Sequence, residues 1–143
     1  MIHDITEGIS QKLYEIFGDK YERHTQQVRQ GLHAPCFHIF CVSPTHSPLL
    51  GTRTIRGHLF SIEYFPESET EAITECYAIQ DRLFLGLEYI TVNGKLVRGT
   101  KRSGRIVDGV LVFTVNFDLI VRSVPEITDP TMGSLTITNQ VGG

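Results

Sequence analysis

The stretch Val110–Arg122, VLVFTVNFDLIVR, alternates apolar side chains with a mixed set along its whole length. Because successive side chains of a β-strand point to opposite faces, the pattern predicts one long strand with one face against a core. At ~3.3 Å per residue this strand is about 40 Å long, so it can pair with several partners and project beyond its own sheet. The apolar members are Leu111, Phe113, Val115, Phe117, Leu119 and Val121.

Length and composition are those of one soluble globular domain. The chain has 143 residues, of which 41% are hydrophobic and 20% charged, both ordinary values for such domains. No apolar run approaches the roughly 18 residues of a membrane helix, and the N-terminus lacks a signal-peptide pattern. Three cysteines that form no CxxC pair indicate free thiols in a reducing compartment. The net charge of −3 weighs against general nucleic-acid binding.

The first half of the chain reads as a helix followed by two strands. Apolar residues at spacings of three and four predict a helix over residues 2–17. Alternation predicts strands over residues 36–42 and 53–65, and Gly57 indicates a bulge inside the second strand. The two prolines in residues 43–48, SPTHSP, predict a loop between these strands.

The second half reads as a helix followed by hairpins. A helix is expected from about Ser68 to Glu88, and Asn93-Gly94 and Asp108-Gly109 are strong hairpin-turn signals. The buried side of this helix is predicted to comprise Ile73, Cys76, Tyr77, Leu83, Phe84 and Leu87.

These elements predict an α+β fold, with a mainly antiparallel twisted sheet built as a hairpin meander and two amphipathic helices packed on it. Residues 1–125 are expected to form a single domain and residues 126–143 an extended C-terminal tail. Within that tail, Leu135 and Ile137 could form a short edge strand, which would need a neighbouring sheet edge, such as that of another subunit.

No residue pattern indicates catalysis, a cofactor or a metal. Cys36, His38 and Cys41 lie close in sequence, but a structural zinc site needs four convergent ligands and no second cluster supplies them. The histidines are scattered and match no hydrolase or metalloprotease motif. Four basic residues fall within eight positions, which is typical of a solvated loop or of a contact to phosphate or an acidic protein surface. They are Arg98, Lys101, Arg102 and Arg105.

Four segments in order resemble the tail terminator family of tailed phages, prophages and phage tail-like particles of Gram-positive bacteria. They are GLHAPCFHIF at 31–40, HLFSIEYFP at 58–66, LEYITVNGKLVRGT at 87–100 and VDGVLVFTVNF at 107–117. The resemblance covers almost the whole chain up to Arg122 and implies an α+β sandwich. It also implies a structural protein, with no catalytic residues to carry over.

The resemblance further implies a sixfold ring on the end of the tail tube, which stops tube polymerisation and offers a docking surface to the head, neck or collar. The implied partners are other copies of the chain, the tube protein, a neck or collar protein and, in a contractile tail, the sheath. DNA would only pass through the lumen, no membrane is involved, and the ring would belong to the virion tail after assembly in the host cytoplasm. Phages and headless tail-like particles would use the same part.

A ring closes by contacts between two different patches of each subunit, and overhanging hairpins suit such contacts because added strands supply main-chain hydrogen bonds. The alternatives are a head–tail joining or neck subunit, a small nucleic-acid-binding domain that uses the basic hairpin, and an enzyme that depends on Cys36 or Cys41. The residues expected at subunit or tube interfaces are Arg98, Lys101, Arg102, Arg105, Ile120, Arg122, Leu135 and Ile137.

Overall fold

The computed structural model describes residues 1–26 and 33–122, and the backbone of residues 126–129 and 134–136. Two helices and eight strands are found in these ranges. The helices are α1 (Ile2–Phe17) and α2 (Ala72–Gly86), and the strands are β1 (Glu22–His24), β2 (Cys36–Pro48), β3 (Arg53–Phe65), β4 (Tyr89–Val92), β5 (Lys95–Val107), β6 (Val110–Arg122), β7 (Glu126–Asp129) and β8 (Ser134–Thr136).

Six strands form one sheet in the order β1-β2-β3-β6-β5-β4, and β7 pairs with β8 separately. Every neighbouring pair of the large sheet is antiparallel except β1 with β2. The helix α1 contacts β2 and β4, while α2 contacts β5 and β6. The predicted α+β fold with a mainly antiparallel sheet and two packed helices is therefore confirmed.

The strand β6 lies in the centre of the sheet, between β3 and β5. It pairs with β3 along almost its full length, from Leu111 opposite Tyr64 to Arg122 opposite Arg53. Four of its six predicted core residues are fully buried between the sheet and the helices, at 0% exposure. Each such side chain contributes roughly 1.5–3 kcal/mol of burial free energy before chain entropy is subtracted. These four are Leu111, Phe113, Val115 and Phe117.

Residues 43–48 are part of β2 and do not form the predicted loop. This half of β2 is an edge strand, since β1 reaches only as far as His38. An edge strand tolerates proline because the N–H that proline lacks would face solvent rather than a partner strand.

The bulge predicted at Gly57 is also wrong. The register of β3 with β6 continues unbroken through that residue. The irregularity lies instead in β2, between Cys41 and Ser43. Gly57 serves a different purpose, since a Cβ atom at this position would lie 2.4 Å from the Oγ1 atom of Thr45. Glycine fits here because the side chains of Thr45 and Asp118 on the two neighbouring strands occupy the space that a Cβ atom would take.

The buried side of α2 differs from the predicted one at three positions. Ile73 and Tyr77 are 56% and 54% exposed, whereas Ile79 is buried. Successive residues of a helix are rotated by about 100°, so Tyr77 points away from the face that buries Cys76. The apolar residues of α2 therefore lie on two faces, of which only one meets the core.

Candidate assembly surface

Part of the sheet extends beyond the helix-covered core. The strand β5 leaves β6 at the pair Gly99–Phe117, so residues 118–122 of β6 pair only with β3. Residues 43–56 of β2 and β3, together with residues 118–122 of β6, thus form a three-stranded projection, here called the arm. Every residue from 42 to 50 is exposed, which means that the described core does not extend beneath this part of the sheet.

The tip of the arm is a short turn with an apolar surface. The backbone N–H of Leu49 donates to the carbonyl of Arg53 at 2.8 Å, and Gly51 takes a positive φ of 75° that side-chain-bearing residues rarely adopt. Leu50 is 95% exposed. An exposed leucine at the end of a hydrogen-bonded hairpin is a candidate contact with another molecule.

The base of the arm contains a buried histidine. His58 is fully buried, and its Nδ1 atom donates to the carbonyl of Phe117 at 3.2 Å. Its Nε2 atom has no hydrogen-bond partner in the described part of the chain. Burial, together with the positive charge of Arg56 nearby, lowers the pKa of the His58 imidazole, although the hydrogen bond to Phe117 opposes the shift. The neutral ring therefore anchors the arm to the core.

The predicted basic cluster lies on β5, but its members do not converge. Arg102 donates to the carbonyl of Phe84 at the end of α2, while Lys101 lines the opposite face of the sheet. An irregularity between Thr100 and Ser103, with Lys101 at a φ of 51°, separates the two side chains. Arg105 lies on the same face as Lys101. The split weakens the nucleic-acid hypothesis, which needed one basic patch.

The other predicted interface residues lie within or beyond the arm. Ile120 is 63% exposed, and Arg122 lies directly opposite Arg53 on the neighbouring strand. Leu135 is part of β8, and Ile137 lies outside the described residues. Like charges directly opposite each other destabilise a strand pair. A negatively charged partner would therefore reduce the repulsion between Arg53 and Arg122.

Burial lowers the reactivity of the three cysteines. Cys36 and Cys76 are buried, and burial raises the pKa of both thiols. Burial also raises the pKa of Cys41. A raised pKa keeps a thiol protonated and unreactive. In the residues that the structure describes, no three His, Cys, Asp or Glu side chains are grouped as metal ligands, and no helix is long and apolar enough to span a membrane.

Residues 4–129 match the family model described as phage tail terminator protein. The chain belongs to this family. The resemblance read from the sequence segments is thereby confirmed, and the chain is a structural protein of the phage tail and a component of the virion tail. No curated protein matches the chain. A solved chain from the virion of a native gene transfer agent particle is similar at 13% identity, with a TM-score of 0.43, over 82% of this chain and 94% of that one.

In a structural protein of the tail, the surfaces that contact other tail proteins carry the function, and sequence reasoning missed two candidates for them. One is the arm tip, where two adjacent leucines follow a proline-rich stretch that looked like a loop. The other is the outward face of α2, here called the outer stripe. Its members are spaced by four residues, which is the one signal that could have revealed a second face. They are Ile73, Tyr77, Asp81 and Leu85.

Proposed function

We propose that the protein forms a hexameric ring on the end of the tail tube, where it stops tube polymerisation and presents a docking surface to the neck or collar. Family membership supports a role at the tail end, and the observation that supports a ring is the arm. It extends hydrogen-bonded strands beyond the core and exposes apolar side chains at its tip, including Leu50 at 95% and Ile120 at 63%.

A ring of identical subunits needs two different patches on each subunit that fit one another. The arm supplies a patch that is stiff, because three strands hydrogen-bond along it. A pre-organised surface loses less conformational entropy on binding than a flexible loop would. The role is structural and does not require turnover, and assembly takes place in the host cytoplasm around a tube whose lumen passes DNA.

Electron microscopy of the protein mixed with purified tail tubes tests this function. The proposal predicts a cap with sixfold symmetry at one end of each tube. It also predicts that tube protein polymerised in its presence gives shorter tubes than tube protein alone. Tubes without a cap, with an unchanged length distribution, would contradict the proposal.

A matched pair of leucine variants shows whether the arm is responsible. Leu50 lies at the arm tip and is 95% exposed, whereas Leu96 lies on the β4–β5 hairpin and is 74% exposed. Substitution of either by serine removes an exposed leucine without opening the core. Leu50→Ser should reduce the fraction of capped tubes, while Leu96→Ser should leave it as in the wild type. Equal behaviour of the two variants would argue against the arm.

A further inference from the structure

The far end of the arm is both basic and apolar. The arm, residues 43–56 and 118–122, includes three arginines and one acid, Asp118, which lies at its base. Two of these arginines, Arg53 and Arg122, are exposed cross-strand neighbours beside the leucine tip. Neither forms an ion pair within the described part of the chain. The arm therefore carries a net positive charge, and its exposed apolar tip lies beside Arg53 and Arg122.

The opposite end of the same sheet is acidic. Beyond Phe65, the last residue of β3, the chain PESETE enters α2 with Glu67, Glu69 and Glu71. Glu67 lies 3.6 Å from the Lys20 ammonium, whereas Glu69 and Glu71 are exposed and form no ion pair with a described residue.

Apolar side chains lie next to these acids, on the outer stripe of α2. Ile73, Tyr77 and Leu85 are 56%, 54% and 80% exposed, and Asp81 lies among them. Exposed apolar groups bordered by charge are typical of protein interaction sites. The outer stripe and its acidic start thus combine the same two features as the arm tip, with the opposite sign of charge.

The two patches lie too far apart to meet within one molecule. The strand β3 runs for 13 residues from Arg53 to Phe65, or about 40 Å at ~3.3 Å per residue. The first half of α2 lies at the Phe65 end, because the Cys76 Sγ atom is 3.7 Å from the carbonyl of Gly109 in the β5–β6 turn. The two patches therefore cannot contact each other within one molecule.

We propose that the arm of one copy docks on the outer stripe of α2 and its acidic start in the next copy, and that this head-to-tail contact is the one that closes the ring. The occupant of each patch is a second copy of this chain, because the two patches complement one another in charge and in apolar character. In the contact, Leu50 packs against Ile73 and Tyr77, while Arg53 and Arg122 face Glu69 and Glu71. This inference rests on the proposed ring on the tail tube.

Charge reversal on either side tests the contact. An arm variant carries Arg53→Glu and Arg122→Glu, and a helix variant carries Glu69→Arg and Glu71→Arg. Each variant alone brings like charges together in the contact. Its tube-end occupancy should therefore fall at least about tenfold, because like charges opposite each other in an interface cost more free energy than a tenfold change in affinity represents. All substituted residues are exposed, so unfolding temperatures close to the wild-type value verify that both variants fold.

An equimolar mixture of the two variants is the decisive sample. A reversed arm then meets a reversed helix, and an unchanged arm meets an unchanged helix, so rings form again with the two variants in alternation. Alternation closes only with an even number of subunits, which a hexamer satisfies. Restored tube-end occupancy, absent from either variant alone, is the expected result.

The outcomes separate this contact from the proposed function. A wild-type protein that never caps tubes removes the ring on the tube and this contact together. If the wild type and both variants cap tubes equally well, the contact alone is overturned. If both variants are inactive and their mixture stays inactive, the contact is also overturned, and the arm is assigned to the tube protein instead.

Cross-linking gives a second readout that does not depend on charge. Thr74 is exposed beside Ile73 on α2, so a chain with Leu50→Cys and Thr74→Cys should give a ladder of oxidised oligomers up to the ring when tubes are present. Either substitution alone, with Cys36, Cys41 and Cys76 still present, should give none. A ladder no stronger than that of the single variants would overturn the contact.

Discussion

The same two strands, β3 and β6, run through two regions that differ in what covers them. In the core region, α1 and α2 cover one face of the sheet and Phe113 is fully buried. In the arm, neither α1 nor α2 covers the strands, and Ile120 on the same strand is 63% exposed. The backbone pairing of β3 with β6 is continuous across both. The difference therefore lies in burial and not in secondary structure.

This comparison indicates that one half of the strand contributes mainly to stability and the other half to contacts with partners. Free energy of folding comes mainly from the covered half, because it scales with apolar surface removed from water. The uncovered half adds little burial free energy, but keeps its apolar and charged groups available to partners. Substitutions in the two halves should therefore change different measurements.

The largest effect on stability is expected for Phe113→Ala. The Phe113 ring packs edge-on against Phe84 of α2, with 5.0 Å between ring centroids. Truncation of a buried phenylalanine typically costs about 3–5 kcal/mol. Denaturant unfolding should show this loss, whereas Ile120→Ala on the same strand should change the free energy of unfolding by less than about 0.5 kcal/mol. Similar losses for the two variants would remove the distinction between core and arm.

A smaller loss is expected for Tyr64→Phe. The Tyr64 hydroxyl donates to Glu75 at 2.6 Å, and the same carboxylate accepts from the backbone N–H groups of Glu67 and Ser68. Hydrogen bonds to charged groups contribute about 1.5–3 kcal/mol each. Tyr89→Phe is the control, since Tyr89 is 43% exposed, and its unfolding midpoint should stay at the wild-type value.

The pH dependence of stability in Tyr64→Phe tests the direction of the Glu75 pKa shift. Burial acts to raise the pKa of Glu75, but the hydrogen bonds from Tyr64, Glu67 and Ser68 outweigh it and lower the pKa below the ordinary 4.5. The stabilising contribution is therefore present above pH 4.5 and is lost as the pH falls through the lower, folded-state pKa. Tyr64→Phe should lose less stability on acidification than the wild type does. A steeper acid loss in the variant would contradict this account of Glu75.

His58, at the boundary of the two regions, should make stability depend on pH near neutrality. Its folded-state pKa lies below the ordinary 6.5 because the imidazole is buried. The unfolded chain takes up the proton first, so stability is full above pH 6.5 and falls as the pH decreases, by at most about 1.4 kcal/mol per pH unit. Denaturant midpoints at pH 7.5 and 5.5 should differ less in His58→Gln than in the wild type. The same difference in both proteins would exclude His58 as the source.

The covered half was the easier part to predict from sequence. In Val110–Arg122, strict alternation is imposed by the buried face, and the structure confirms the strand with the same bounds. The edge half of β2 was misread because Pro44 and Pro48 usually mark loops. Proline excludes a central strand but not an edge, and sequence alone does not show which strands are edges.

The candidate contact surface was harder to predict because it is assembled by topology. Arg53 and Arg122 become neighbours only through the pairing of β3 with β6, which no local pattern reveals. In α2, Ile73 and Tyr77 were expected in the core because apolar residues at helical spacing usually are buried. An exposed apolar stripe has the same spacing, so pattern alone does not distinguish the two.

The central claim is that the core region carries the stability and the arm carries the assembly. The most direct measurement takes Leu50→Ser and records both its free energy of unfolding and the fraction of tail tubes that it caps. The account predicts an unfolding free energy within about 0.5 kcal/mol of the wild type together with a clear loss of capped tubes. A variant that caps tubes as well as the wild type, or that loses caps only in proportion to lost stability, would contradict the account.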